Sequence, residues 1–86
     1  MKKECRVSGK TNAENLAGTI VSHLPYGSVE LTAIGRAATS VAMLAIGIAV
    51  EKIALDYVLR NEYFDVEGKR LLGTRIFITA DDDHTF

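Results

Sequence analysis

One cysteine, Cys5, and one proline, Pro25, occur in the 86 residues of this chain. A lone thiol excludes an intrachain disulfide, so a domain this small is held by its core or by association with other copies. Lys2 and Lys3 are not followed by an apolar run, so no signal peptide is expected and a cytoplasmic protein is predicted. An excess of either charge is missing too. The formal net charge of -1 argues against a general electrostatic clamp on nucleic acid, whose affinity comes from neutralising several phosphates with Lys and Arg. The charges are unevenly spread, however. Lys2, Lys3, Arg6 and Lys10 meet only Glu4 in the first ten residues, Lys69 and Arg70 form a second basic pair, and Asp81, Asp82 and Asp83 collect near the end. A basic face can therefore coexist with an acidic tail.

Catalytic constellations are scarce. Neither His23 nor His84 has a Cys, His or acidic partner at metal-ligand spacing, and Asp81-Asp82-Asp83-His84 reads as a terminal charge run. Ser8, Thr11 and Ser22 belong to no Ser-His-Asp arrangement. Gly9-Lys10-Thr11 imitates the end of a phosphate-binding Walker loop, but no glycine stands upstream at the required distance. Cys5 reads as a half-buried strand residue rather than a nucleophile. These absences point away from an enzyme and give no ground for a metal or cofactor.

What the chain has is apolar patterning, 48% hydrophobic residues, more than one core of this size needs; oligomerisation is the expected remedy. Glu4 to Ser8 reads as a first strand, followed by a turn at Gly9-Lys10. Thr11 with Glu14 three residues later is a capping-box pattern for a first helix, whose apolar face is Leu16, Ala17, Ile20, Val21 and Leu24. Pro25 and Gly27 end it. Val29 to Ile34 is strand-like and breaks at Gly35 into a second helix, expected from near Ala37 toward Leu55. From Ala37 to Val50 no residue is charged. Ala38, Ala42, Ala45 and Ala49 form a strip of small side chains, with Met43, Ile46, Val50 and Ile53 as a bulky strip beside it and Leu44, Ile48 and Leu55 on a third arc. Those 14 residues span roughly 21 Å, too little for a hydrocarbon core of about 30 Å. Tyr57 to Val66, a turn at Glu67-Gly68-Lys69, and Leu71 to Ala80, with Thr74, Ile76 and Ile78 on one face, read as a β-hairpin.

The order strand, helix, strand, helix, strand, strand predicts an α/β fold of one domain over residues 1–86. It is a two-layer sandwich with a mixed four-stranded sheet and both helices on one face. At the strand-to-helix turn, Gly35 permits a tight backbone, helical N–H groups follow, and Arg36 adds a charge, so a phosphate can dock there. Lys10 beside the start of the first helix opposes the helix dipole, a conflict that a bound anion would relieve.

The runs Val7-Ser8-Gly9-Lys10-Thr11, Asn15-Leu16-Ala17-Gly18, Val29 to Gly35, and Phe64-Asp65-Val66-Glu67-Gly68 with Ile76-Phe77-Ile78 resemble the stage V sporulation protein S (SpoVS) family. The likeness covers nearly the whole chain. That family is similar to the archaeal chromatin protein Alba, and Gly35-Arg36-Ala37 looks like the Gly-Arg-Ala that begins its second helix. The resemblance implies a βαβαββ fold, a homodimer, a sporulation-related or regulatory role, and binding of DNA or RNA through basic loops and the terminal hairpin. Carried onto this chain, it implies a surface of Lys10, Arg36, Lys69 and Arg70, with Arg75 as a weaker member. The chain departs from the family in having Met43, Leu44 and Val50 at second-helix positions that tend to be basic, and in a shorter path to the third strand. Contacts to phosphate rather than base edges predict little sequence preference and a steep salt dependence. The alternative is a dimeric interaction module that does not bind nucleic acid.

Overall fold

A computed structural model describes residues 1–81, so the acidic run beyond Asp81 lies outside the described residues. Strands β1 (Lys2–Val7), β2 (Ser28–Ile34), β3 (Leu55–Val66) and β4 (Lys69–Ala80) alternate with helices α1 (Ala13–His23) and α2 (Arg36–Val50), in the order β1-α1-β2-α2-β3-β4. The sheet is mixed, ordered β1-β2-β4-β3: β1 and β2 are parallel, and β4 runs antiparallel to both β2 and β3. Both helices lie on one face, giving the expected two layers.

Alternation within the strands decides which side chains meet the helices. Val29, Leu31 and Ala33 of β2 with Ile76 and Ile78 of β4 point inward and are buried. Leu16, Ala17 and Ile20 of α1 close over them, together with Ala38, Ala42, Ala45, Ile46 and Ala49 of α2. The alanine strip is what lets α2 approach both the sheet and α1, since each Cβ fills little space. Leu44 and Val50 of the same helix stay exposed.

Three of the boundaries that differ from the sequence expectation have a local physical cause. First, β1 starts at Lys2 and ends at Val7, because the parallel ladder with β2 runs from Lys2 opposite Ser28 to Val7 opposite Ala33. Second, α1 is capped by Asn12 rather than Thr11. Asn12 has extended backbone, and its side-chain oxygen accepts from the Asn15 N–H at 2.9 Å. Thr11 closes the preceding turn instead, its Oγ1 accepting from the Ser8 N–H at 2.9 Å. Replacing Asn12 by Ala is expected to lower stability by about 1 kcal/mol in urea denaturation; a change too small to measure would place the cap elsewhere.

The third difference is at the end of α2, which stops at Val50 instead of reaching Leu55. The N–H groups of Glu51 and Lys52 bond three residues back, to Ile48 O and Ala49 O, tightening the last turn so that Leu55 can pair with Ala80 at the sheet edge. Ile53 and Leu55 still pack on the core, but from a turn and a strand. The β3–β4 connection is a two-residue turn, Glu67 and Gly68, both with positive φ (51° and 79°), and Lys69 already pairs with Val66. Among the described residues no helix is long and apolar enough to cross a membrane.

Candidate nucleic-acid interface

Parallel pairing of β1 with β2 in matched register puts the two outgoing turns, one after Val7 and one after Ile34, at the same end of the molecule. The first turn is closed by its own side chains. Ser8 N–H donates to Thr11 Oγ1, Lys10 N–H donates to Ser8 Oγ at 3.1 Å, and Thr11 N–H donates to Ser8 O at 3.1 Å. This presents Lys10 from a fixed backbone. The second turn uses Gly35 at φ 93°, a conformation L side chains rarely adopt, to drop the chain into α2 with Arg36 as its first residue. A Cβ at Gly9 would lie 2.9 Å from the Cβ of Ala37, so the two turns touch and bring Lys10 and Arg36 to neighbouring positions.

The hairpin reaches out from that same end. Pairing of β2 with β4 stops at Ile34 opposite Gly73, whereas the β3–β4 ladder continues to Val66 opposite Lys69. The four-residue overhang carries Lys69 and Arg70 about 14 Å beyond the body of the sheet. Arg70 and Tyr63 lie on the helix side of this arm, with the Arg70 guanidinium carbon 4.5 Å from the centre of the Tyr63 ring. Tyr63 is 61% exposed, an aromatic surface that sequence reasoning did not single out. Period-two counting from Thr74, whose register partner is Asn61, would have placed it there.

Between α2 and the root of the arm lies an open cleft of about 400 Å³ lined by Arg36, Thr39, Ser40, Asn61, Leu72 and Thr74. Three of its side chains are linked by hydrogen bonds: Thr39 Oγ1 donates to Gly35 O at 2.9 Å and lies 3.4 Å from Thr74 Oγ1, which donates to Asn61 Oδ1 at 3.4 Å. Among the described residues no carboxylate pairs with Lys10, Arg36 or Lys69. Four of the five expected site residues therefore share one end of the molecule with their charges available.

Arg75 is placed differently. It lies on the face of the sheet away from the helices and is held by two carboxylates: Nη1 donates to Glu30 Oε2 at 2.8 Å and Nε donates to Glu62 Oε2 at 2.9 Å. Lys2 Nζ reaches Glu30 Oε1 at 3.3 Å, and Arg60 Nε reaches Glu62 Oε2 at 3.0 Å. Glu30 is 3% exposed, with one carboxylate oxygen held by Lys2 and the other by Arg75. Burial pulls its carboxyl upward, but hydrogen bonds from Arg75 and Lys2 outweigh that and leave it below the ordinary value. Glu62 is also held low, by hydrogen bonds from Arg60 and then Arg75. Hydrogen bonds to Glu62 and Glu30 raise Arg75 in turn. The network fixes the open face, and two carboxylates offset the Arg75 charge that a phosphate would need.

Cys5 is half-buried, facing the helices opposite Leu31, and burial raises its thiol above the ordinary value, which disfavours the thiolate. His23 is the last residue of α1. Among the described residues no cluster of His, Cys, Asp or Glu is arranged to hold a metal ion. The model of the family described as Stage V sporulation protein S (SpoVS) matches residues 3–78 of the chain. No curated protein matches it significantly.

Proposed function

The chain belongs to the stage V sporulation protein S family, which implies a sporulation-related role, and we propose that it acts there by binding nucleic acid through its phosphates. The observation that carries the proposal is the close approach of Gly9 to Ala37, which brings the turns bearing Lys10 and Arg36 together at the foot of an arm tipped by Lys69 and Arg70. A phosphodiester backbone laid along this end meets the Lys10–Arg36 pair and the N–H groups of the first α2 turn, then the basic tip of the arm. A net charge of -1 keeps such binding weak away from this surface. Tyr63 offers a ring on which an unpaired base can stack.

The test is fluorescence anisotropy of labelled duplex DNA and of single-stranded RNA at a series of salt concentrations. Four phosphate contacts predict a duplex slope of log affinity against log salt of about -3.6, a loss of roughly a hundredfold between 50 and 200 mM. Flat curves at the lowest salt would remove the proposal and leave an interaction module in its place.

A further inference from the structure

Three register pairs stand in a row on the helix side of the arm. Asn61 lies opposite Thr74, Tyr63 opposite Leu72 and Asp65 opposite Arg70, and strand alternation puts all six side chains on one face. Asn61, Thr74 and Leu72 line the cleft beside α2, so Tyr63 stands at its rim, across from Leu72 and about 7 Å along β3 from Asn61. At about 400 Å³ the cleft falls within the roughly 300–1,000 Å³ of small-molecule sites. Its walls divide by chemistry. Tyr63 and Leu72 are exposed and give the rim a ring and an apolar side chain. The Arg70 guanidinium packs on the Tyr63 ring, which keeps open surface besides. Deeper in, Asn61 Oδ1 accepts from Thr74, while the Asn61 amide N–H groups and the Ser40 hydroxyl have no hydrogen-bond partner among the described residues. Arg36 lines the α2 side with no carboxylate on it.

A stacking surface, free donors and a cation gathered in one cleft match the three parts of an unpaired nucleotide: the face of its base, the acceptors on the base edge, and its phosphate. Resting on the phosphate surface proposed above, we infer that this cleft seats one unpaired base of a single strand, stacked on Tyr63 with its edge toward Asn61 and its phosphate on Arg36. A base inside a duplex has both faces stacked and its pairing edge occupied, so a duplex meets only the cations at this end of the molecule. The single strand gains a contact that carries no charge and therefore does not depend on salt. Asn61 donates to a carbonyl or ring nitrogen, groups that every base offers on some edge, so the seat accepts many sequences.

The test is fluorescence anisotropy with labelled oligothymidylate, oligouridylate, an abasic deoxyribose-phosphate oligomer of the same length, and duplex DNA. The abasic oligomer keeps its phosphates and has no base to stack, so the wild type should bind it about tenfold more weakly than the strand that fills the seat. That ratio should hold as salt rises while every affinity falls. Tyr63→Ala should erase the ratio and leave the abasic oligomer and the duplex within about twofold of wild type. Asn61→Leu, which keeps the bulk and removes the donors, should narrow it. Tyr26→Ala, an exposed tyrosine at the opposite end of β2, should change nothing. In Tyr63→Trp the single tryptophan should be quenched by the base-bearing strand and not by the abasic oligomer. A Tyr63-dependent gain over the abasic oligomer in either the deoxyribose or the ribose strand supports the seat and names the source of its base. Equal affinity for all three single strands, or a gap that survives Tyr63→Ala, would overturn the seat and leave the phosphate surface standing. No binding to any oligomer, duplex included, would remove the phosphate surface and the seat with it.

Discussion

Changing Lys10 and Arg36 together to Glu is expected to lower affinity for a duplex oligonucleotide by about a hundredfold at low salt, and to make the slope of log affinity against log salt shallower by about two. Two positive contacts disappear and two negative charges take their place at the one point where both turns meet. Neither side chain has a carboxylate partner among the described residues, so the substitutions take away binding charge without breaking an ion pair. The stability readout moves the other way. A carboxylate at the first position of α2, and another just ahead of α1, suits the positive end of each helix, so thermal melting stays level or rises slightly. Affinity falling while stability holds is a pattern that misfolding cannot produce. Unchanged affinity in the folded double variant would remove these two residues from the interface.

Arg75→Met has the opposite profile, losing stability and sparing binding. The substitution leaves Glu30, 3% exposed, with Lys2 alone, and Glu62 with Arg60 alone. Because each carboxylate keeps one cationic partner, Lys2 or Arg60, the expected cost is about 2 kcal/mol, below that of leaving a buried charge wholly unpaired. For a domain of this size that lowers the melting midpoint by about 10 °C. The pH dependence has a definite sign. Both carboxyls titrate below their ordinary 4.5 in the folded chain, so the unfolded chain binds more protons as the pH falls. Their contribution is complete above that value and is lost as the pH drops through the depressed folded values. Urea denaturation at pH 7, 4 and 3 should show the wild type losing stability in acid and Arg75→Met losing less. Parallel curves would mean that the network does not set the acid sensitivity. Duplex affinity of Arg75→Met should stay within about twofold of wild type, since its guanidinium lies on the face away from Lys10 and Arg36.

Most of the fold was legible because periodicity and breakers agreed. The alanine strip of α2, the Leu16, Ala17 and Ile20 face of α1, and the inward set Thr74, Ile76 and Ile78 of β4 are all buried as their spacing predicts. The end of α2 was not legible because Ile53 and Leu55 continue the apolar pattern in phase. They do reach the core, but along a tightened turn and a strand that no periodicity distinguishes from a helix. The cap moved by one residue because Thr11 and Asn12 can both supply an oxygen, and the Ser8 turn took the threonine.

The candidate site was legible in its residues more than in its assembly. Gly35 and Arg36 announced themselves by composition, and Lys10 by standing next to a helix start. That the two turns touch depends on strand register and on the absence of a side chain at Gly9, which is a long-range fact. Arg75 shows the converse. Its neighbours in sequence gave no sign of Glu30 and Glu62, which reach it across two strand pairings, so a cation that looked available is held in a structural network.

Nucleic acid is proposed to lie at one end of the molecule, built from the Ser8–Thr11 turn, the start of α2 and the tip of the hairpin. Two-dimensional amide NMR of labelled protein, titrated with a short duplex DNA at low salt, tests it residue by residue. The largest shifts should fall on Gly9, Lys10, Gly35, Arg36, Ala37, Lys69 and Arg70, and fade as salt is added. Shifts confined to the open face around Glu4, Arg6 and Thr32, or no shifts at any ratio of duplex to protein, would contradict it.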